Sequence, residues 1–206
     1  LRSKLSLNFN AQTGGFFSYV VGESNFRFVN DGGFSNNELI YVPNAQNEIN
    51  LVETTAGGTT YSPAQQWEIL NNFINDDPHL SDRRGDYAQR NGAREPWEFT
   101  MDLRFLQDVF IEMKNGKRNI LQFSVDIFNF TNLLNPDWGR RRFAGSFGNY
   151  PLLFLDNDVS GDNTTPEYTV NSQILEGEDP WENNIDDFGF RSSRWQMQLG
   201  LRYIFQ

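Results

Sequence analysis

The segment "DNDVSGDNTTPE" at residues 156–167 carries oxygen-bearing side chains at the spacing of a calcium-binding loop. The template D-x-[DN]-x-[DN]-G-x₅-E requires acidic or amide side chains at alternating early positions, a glycine at the sharp turn and a closing glutamate. Gly161 supplies the glycine, and Ser160 replaces the usual Asp or Asn at the fifth position. We therefore hypothesise a calcium site whose candidate ligands are Asp156, Asp158, Ser160, Asp162 and Glu167. No helical pattern flanks the loop, so an EF-hand domain is not expected, and a solvated acidic turn is the alternative.

Enzyme chemistry has little support in the sequence. His79 is the only histidine, so any Ser-His-Asp triad would have to use it. No G-x-S-x-G, H-E-x-x-H or phosphate-binding loop motif occurs. Carboxylates are plentiful, but no spacing brings two of them together in a catalytic pair. We expect a protein that is not an enzyme.

Four segments alternate between apolar and polar residues with a period of two, which predicts β-strands with one apolar and one polar face. In the last of them, "RWQMQLGLRYIFQ", every odd position from Trp195 to Phe205 is apolar or aromatic. Each segment is long enough for a membrane-crossing strand, which needs about 9–11 residues. The predicted strands cover about residues 1–13, 97–113, 119–130 and 194–206.

The connections between these strands differ greatly in length. Residues 114–118 ("KNGKR") form a short link whose Asn-Gly pair is a strong hairpin signal. The other two links, residues 14–96 and 131–193, are very long. Short turns alternating with long loops are typical of transmembrane barrels, whose periplasmic turns are short and extracellular loops long. Within the first long loop, residues 62–77 predict one short helix with Ser62 as N-cap and Pro63 in its first turn.

Charge and composition support this partition. The net charge is -10, which argues against nucleic acid as a partner. The loop at 14–96 has a net charge of -6 and the loop at 131–193 of -7, whereas the remaining residues carry +3. Cysteine is absent and no run of about 18 apolar residues occurs, so the sequence contains no disulfide and no transmembrane helix pattern. Aromatic residues make up 15% of a chain whose mean hydropathy is -0.60, so its apolar groups are concentrated in particular places.

The alternating pattern also assigns side chains to environments. Aromatic residues at strand ends are expected to form the girdles that straddle lipid and water, namely Trp97, Phe99, Trp195, Tyr203 and Phe205. Charged residues on the opposite parity are expected to face the barrel lumen or a plug, because an ionisable group at membrane depth must face protein or water. These are Asp102, Arg104, Asp108, Asp126 and Arg202. A soluble β-sandwich is the alternative, although its strands are usually about 5–6 residues long.

Four strands cannot close a membrane barrel, since the smallest known has about eight. Open sheet edges are not viable in lipid. Either partner chains supply the other strands, or the sequence is the C-terminal piece of a longer chain, and we favour the second.

Several segments together resemble the C-terminal part of TonB-dependent outer-membrane receptors, most closely the Oar-like type with a carboxypeptidase-regulatory-like domain, with SusC-like transporters more distant. The resemblance is carried by "FFSYVV" (16–21), "GGFSNNELIYVP" (32–43), "HLSDRRGDYAQRNGAREPW" (79–97), "LQFSVDIFNFTNLLN" (121–135) and "GLRYIF" (200–205). It implies an all-β fold in which this chain contributes the last four strands of a large, 22-stranded antiparallel barrel. The two long loops would be extracellular. The plug domain and the TonB-contacting segment would precede Leu1 and would not be part of this sequence.

The resemblance also implies a function and a location. The protein would be part of a TonB-dependent transporter in the cell outer membrane that takes up, or exports, a bulky ligand. Its partners would be outer-membrane lipid, the plug and remaining strands of the same chain, and TonB through the missing N-terminal part. A surface lipoprotein partner is left open. The alternatives are a large outer-membrane barrel of a secretion, adhesion or envelope assembly without TonB-driven import, and a soluble acidic calcium- or glycan-binding β domain.

Overall fold

The structure is a computed structural model that describes residues 1–23, 38–114, 116–145, 148–157, 165–182, 185 and 193–205. The described residues are mostly in β-sheets with a few helices, which confirms the all-β class. None of the helices in this part of the chain has the length and apolar character to cross a membrane. The chain divides into two compact units, one made of residues 1–14, 96–142 and 185–206 and the other of residues 15–95 and 143–184.

The strands and helices are numbered in chain order. The described strands are β1 (Arg2–Gln12), β2 (Phe16–Glu23), β3 (Tyr41–Val42), β4 (Thr54–Ala56), β5 (Thr59–Tyr61), β6 (Asp86–Tyr87), β7 (Ala93–Arg94), β8 (Glu98–Glu112), β9 (Arg118–Phe128), β10 (Asn149–Leu155), β11 (Tyr168–Val170) and β12 (Gln196–Ile204). The described helices are α1 (Pro63–Asp76), α2 (Pro78–Ser81), α3 (Phe130–Leu134) and α4 (Ser172–Leu175), and a 3₁₀ turn covers Gln46–Glu48.

The first unit is built on a four-stranded antiparallel sheet in the order β1-β8-β9-β12, called the long-stranded sheet below. Its strands lie within two residues of the limits that the alternating pattern predicts. β8 and β9 form a hairpin in which the Met113 N–H donates to the Lys117 carbonyl at 2.8 Å. Gly116 has a φ of 79°, a left-handed conformation that glycine adopts without steric cost. The predicted short turn is therefore the connection that fixes the register of the two central strands.

The register of the long-stranded sheet places the odd-numbered residues of its four strands on one face and the even-numbered residues on the other. Leu7 lies opposite Leu103, and Phe105 lies opposite Val125, which in turn lies opposite Leu199. Most neighbouring positions on the other parity are polar, but Phe110, Ile120 and Ile204 lie opposite one another on that parity near the β8–β9 hairpin. Because the side-chain period in strands is two, one face of the sheet is mainly apolar and the other is mainly polar away from the hairpin.

The second unit, called the loop module below, consists of residues 15–95 and 143–184. Its main sheet has the order β11-β10-β2-β7, in which β2 and β10 run parallel and come from different long loops. Two small antiparallel pairs, β3 with β6 and β4 with β5, lie in the same unit. The sequence predicted only one helix in these two long segments, so the sheet that joins them is a feature that sequence reasoning missed.

The loop module has its own hydrophobic core. Phe17, Tyr19, Ile74, Leu80 and Leu152 are all completely or almost completely buried within it. Helix α1 contributes Leu70 and Ile74 to this core, and its N-cap is Ser62, as predicted. The Ser62 hydroxyl accepts the Gln65 N–H and the Gln65 side chain accepts the Ser62 N–H, a capping box that satisfies two donors at the helix start.

Candidate functional site

The apolar face of the long-stranded sheet is exposed. Leu199 and Leu201 on β12 are 72% and 66% exposed, and Leu5 and Phe9 on β1 are 65% and 61% exposed. Large apolar side chains on the two central strands, such as Phe123, are also exposed. Monomeric soluble proteins rarely expose contiguous apolar patches larger than a few hundred Å², and larger ones mark contacts with protein or membrane. This face is therefore the first candidate interaction surface of the molecule.

Aromatic residues gather at both ends of this face. At one end the Phe99 ring stacks on Phe9 and on Trp97, with centroids 6.3 and 6.1 Å apart. At the other end Tyr203 and Phe205 meet edge to face at 4.7 Å. The residues predicted as girdle positions are all exposed at strand ends, and the set is Trp97, Phe99, Trp195, Tyr203 and Phe205.

The opposite face carries the charged residues for which a lumen-facing position was predicted. The Arg104 Nε lies 3.2 Å from an Asp126 carboxylate oxygen on the neighbouring strand. Asp108 accepts a hydrogen bond from the Gln122 amide at 2.8 Å, and Arg202 lies opposite Gln122 in the register. Each of these charges thus has a cross-strand polar neighbour, an arrangement that suits a surface in contact with water or polar protein groups.

Asp102 belongs to the same face and organises the end of β9. Its carboxylate accepts the Asn129 N–H at 2.9 Å. Asn129 has a φ of 51°, so the chain turns there from β9 into helix α3. The Asn129 side chain donates to the Gly139 carbonyl at 2.8 Å. Sequence reasoning assigned Asp102 to a lumen-facing position but did not identify this turn.

A groove with a cavity volume of about 480 Å³ lies on the polar face at this end of the sheet. Glu98, which is almost buried, borders it and binds Arg141 Nε at 2.9 Å and the Gln12 amide at 2.6 Å. This cavity, called the polar groove below, is lined by Asn8, Asn10, Thr100, Asp102, Phe128 and Gln196, together with Gly139 to Arg141 and neighbouring residues. It is the second candidate interaction surface.

The predicted calcium loop is described only at its two ends. The Asp156 N–H donates to the Glu167 carbonyl at 2.8 Å. The Asn157 side chain accepts the Glu167 N–H and donates to the Thr165 carbonyl, at 2.8 and 2.9 Å. The ends of the loop are therefore held together. Asp158, Ser160 and Asp162 lie outside the described residues, and the residues that are described contain no group of three or more acidic, histidine or cysteine side chains suited to a metal ion.

Polar groups in the loop module are used to hold its segments together. The Tyr19 hydroxyl donates to Asp77 at 2.5 Å, and burial is the main cause that raises the pKa of this hydroxyl. Asp77 also accepts the N–H groups of His79 and Leu80 and so caps helix α2. These contacts give Asp77 a structural role.

His79, the residue on which any catalytic triad would depend, already has a hydrogen-bond partner. Its Nε2 accepts the Gln89 N–H at 3.2 Å. Partial burial lowers the pKa of His79, and the nearby charge of Arg83 adds to this effect, whereas Asp77 and Asp82 oppose it. The neutral ring, with its proton on Nδ1, is the form that fits this contact.

Comparison of the chain with protein-family models, with curated proteins and with solved structures finds no match.

Proposed function

We propose that this chain is the C-terminal, four-strand portion of a TonB-dependent outer-membrane receptor, and that the receptor takes up, or exports, a bulky ligand. The observation that carries the proposal is the exposed apolar face of the long-stranded sheet, bordered at both ends by aromatic side chains. Outer-membrane barrels present an apolar band about 25 Å tall between two aromatic girdles. A lipid-facing surface of this kind accounts for side chains such as Leu199 that would be costly to leave in water.

Strand length supports the same proposal. β1 has 11 residues, and at about 3.3 Å per residue it extends about 36 Å. A tilt of about 45° reduces its height across the membrane to about 26 Å, close to the height of the apolar band. The polar face would then line the lumen, where Arg104 and Asp126 contact water or the plug.

The edges of the sheet support its being part of a larger barrel. Within the described residues the outer edges of β1 and β12 have no strand partner. Unpaired backbone groups at a sheet edge are not viable in lipid, so further strands must pair with both edges. We infer that a longer chain supplies these strands, a plug domain and the segment that contacts TonB.

The loop module would lie on the extracellular side. The hairpin between β8 and β9 carries Lys114, Lys117 and Arg118 and is short, as periplasmic turns are. In chain order the two segments of the loop module follow β1 and α3, whereas the hairpin joins β8 to β9. It contains 19 acidic and 5 basic residues, a charge that favours solvated surface over burial in a membrane.

Calcium remains a hypothesis for the loop at residues 156–167. A Tb³⁺ luminescence titration of the intact receptor tests it. A saturable signal that is lost in Asp158→Ala supports the site, and the absence of any saturable signal refutes it.

Two measurements on the native protein test the proposed function. The intact mass of the polypeptide in detergent-extracted outer membrane should be several times 23.9 kDa, the mass of the 206-residue chain. The purified receptor should also retain the C-terminal domain of TonB, and removal of the receptor's N-terminal TonB-contacting segment should abolish this binding.

The outcomes separate the alternative functions. A large membrane-extracted polypeptide that does not bind TonB would favour a secretion, adhesion or envelope barrel. A polypeptide near 23.9 kDa that partitions into the aqueous phase without detergent would favour the soluble β domain.

A further inference from the structure

A group of exposed apolar side chains follows β9, in helix α3 and the turn after it. Leu134 is 62% exposed, Trp138 53% and Leu133 37%. These residues lie outside the strands, so the alternation that accounts for the apolar face does not account for them. Apolar side chains of this size are unfavourable in water, so their clustering indicates a contact. Residues 130–138 are called the α3 segment below.

The α3 segment lies beside the end of the apolar face. The Asn132 side chain in α3 accepts the Trp195 N–H at 3.2 Å. Trp195 immediately precedes β12 and is itself exposed on the apolar parity. In the register, Phe128 at the end of β9 lies opposite Gln196 at the start of β12. The exposed side chains of the α3 segment therefore follow directly on the strand ends that carry the aromatic residues.

The backbone of the α3 segment is satisfied by the segment itself. The Asn132 amide donates to the carbonyls of Pro136 and Trp138, at 3.0 and 2.9 Å. The Asn135 N–H donates to the Thr131 carbonyl, and the Trp138 N–H donates to the Asn135 carbonyl, both at 3.0 Å. One buried asparagine thus pairs two carbonyls that would otherwise need water. Internal pairing of this kind is what a lipid environment demands of irregular backbone.

The polar groups that follow the α3 segment belong to a different surface. Residues 139–141 line the polar groove, whereas Leu134 and Trp138 do not. The charge of Arg140 is compensated by Asp137, with Nη2 and the carboxylate 3.1 Å apart. The chain therefore separates an apolar contact surface in α3 and its turn from the polar lining that comes next.

We propose that the α3 segment lies in the outer leaflet of the membrane, at the boundary between headgroups and acyl chains. The inference rests on the proposed receptor function and extends its lipid contact beyond the strands. Helix α3 follows the end of β9 that is opposite the short hairpin, and the hairpin is assigned to the periplasm. Trp138 suits this boundary because its ring is apolar and its N–H is polar. Leu133 and Leu134 would enter the acyl chains, as the apolar side of an interfacial segment does.

The test uses the cysteine-free, full-length receptor in proteoliposomes. Leu134→Cys, Trp138→Cys and Leu199→Cys are labelled with bimane one at a time. The lipids carry a nitroxide either close to the headgroup or close to the chain end, and iodide is the quencher in water. We expect the labels at 134 and 138 to be quenched at least about twofold more strongly by the shallow nitroxide than by the deep one, since interfacial segments enter only about 5–10 Å. The label at 199 should be quenched by the deep nitroxide.

Asp137→Cys is the matched control. Asp137 lies in the same turn, and its side chain is 69% exposed. As a charged residue it should stay in water, so the label at 137 should be quenched by iodide more strongly than by either lipid nitroxide. Electrophoresis without boiling verifies that each labelled variant is a folded barrel.

The position at 199 separates failure of the inference from failure of the proposed function. Lipid quenching at 199 together with quenching only by iodide at 134 and 138 would overturn the inference and leave the receptor proposal standing. Protection of 134 and 138 from all three quenchers would also overturn it, because a protein partner would then cover the segment. Equal lipid quenching at 134 and 137 would deny an oriented insertion. If even 199 is quenched only by iodide, the sheet does not face lipid and both proposals fail.

Discussion

The buried side chain of Gln66 on helix α1 accepts the Val170 N–H at 3.1 Å, joining two residues that are 104 positions apart in the sequence. The same amide donates to the carbonyls of Val52 and Tyr61, at 2.6 and 3.2 Å. One completely buried side chain thus satisfies three backbone groups, one of which belongs to the other long segment. Gln66 therefore links the two segments of the loop module through hydrogen bonds.

Replacement of Gln66 should loosen this connection. Gln66→Ala leaves the Val170 N–H and two carbonyls without this partner in a buried site, and each unsatisfied group costs about 1–3 kcal/mol. We expect the opening free energy of β11 to fall by at least about 2 kcal/mol, measured by hydrogen exchange of the full-length protein. Glu68→Ala, an exposed change on the same helix, is the control and should have little effect. Equal exchange in the two variants would contradict the assigned role.

The Tyr19 hydroxyl is expected to stabilise the start of α2. In Tyr19→Phe the Asp77 carboxylate loses a hydrogen bond but keeps the two backbone donors that define its capping role. A hydrogen bond to a charged group contributes about 1.5–3 kcal/mol, so the opening free energy at the start of α2 should fall by an amount in this range. Hydrogen exchange of the His79 and Leu80 amides measures this opening free energy. Unchanged protection of these amides would show that the hydroxyl is dispensable.

His79 should make the loop module sensitive to acid. The pKa of His79 is lowered in the folded state, so below about pH 6.5 the unfolded chain binds a proton that the folded chain does not. The free energy of unfolding of the loop module is therefore undiminished by His79 above that pH. It declines as the pH falls toward the lowered pKa of His79. Protonation also turns Nε2 into a donor that faces the Gln89 N–H.

Hydrogen exchange of residues 79–92 at pH 7.5 and pH 5.5 measures this effect. We expect faster exchange at the lower pH, after correction for the intrinsic rate, in the wild type only. His79→Gln keeps an acceptor but cannot be protonated, so its corrected exchange should not change with pH. The same pH response in this variant would assign the effect to other groups.

The two faces of β12 should respond differently to a charge. Leu201→Arg places a guanidinium on the apolar face, and in a barrel such a change costs about 2–4 kcal/mol near the bilayer midplane. Gln198→Arg places the same group on the polar face and should be tolerated. The fraction of heat-modifiable, folded barrel in outer membranes measures the difference. Equal assembly of both variants would argue against a lipid-facing apolar side.

The long strands were predictable because alternation is a local property. In β12 the apolar residues recur at every second position, and the same signal sets the limits of β1, β8 and β9. The Asn-Gly turn and the Ser62 cap are local as well, since each acts within three or four residues. The side chains predicted for the two faces, such as Leu199 and Arg104, follow from parity alone.

The loop module could not be predicted because its order depends on distant contacts. The parallel pairing of β2 with β10 joins Tyr19 to Tyr150, and neither strand shows regular alternation because both are buried. No local sequence pattern around Gln66 or Val170 predicts the hydrogen bond between them. The polar groove was missed for a related reason, since its lining comes from several strands and only the register places residues such as Phe128 and Gln196 opposite each other.

The most direct test of the central claim is the accessibility of a nitroxide spin label along β12 in native outer membranes. The 206-residue chain contains no cysteine, so single cysteines at residues 196–204 of a cysteine-free full-length receptor can be labelled one at a time. We predict high accessibility to oxygen at odd positions such as 199 and 201, and to a water-soluble nickel reagent at even positions such as 198. Uniform access of the water-soluble reagent to both faces would contradict a lipid-facing sheet, and with it the receptor assignment.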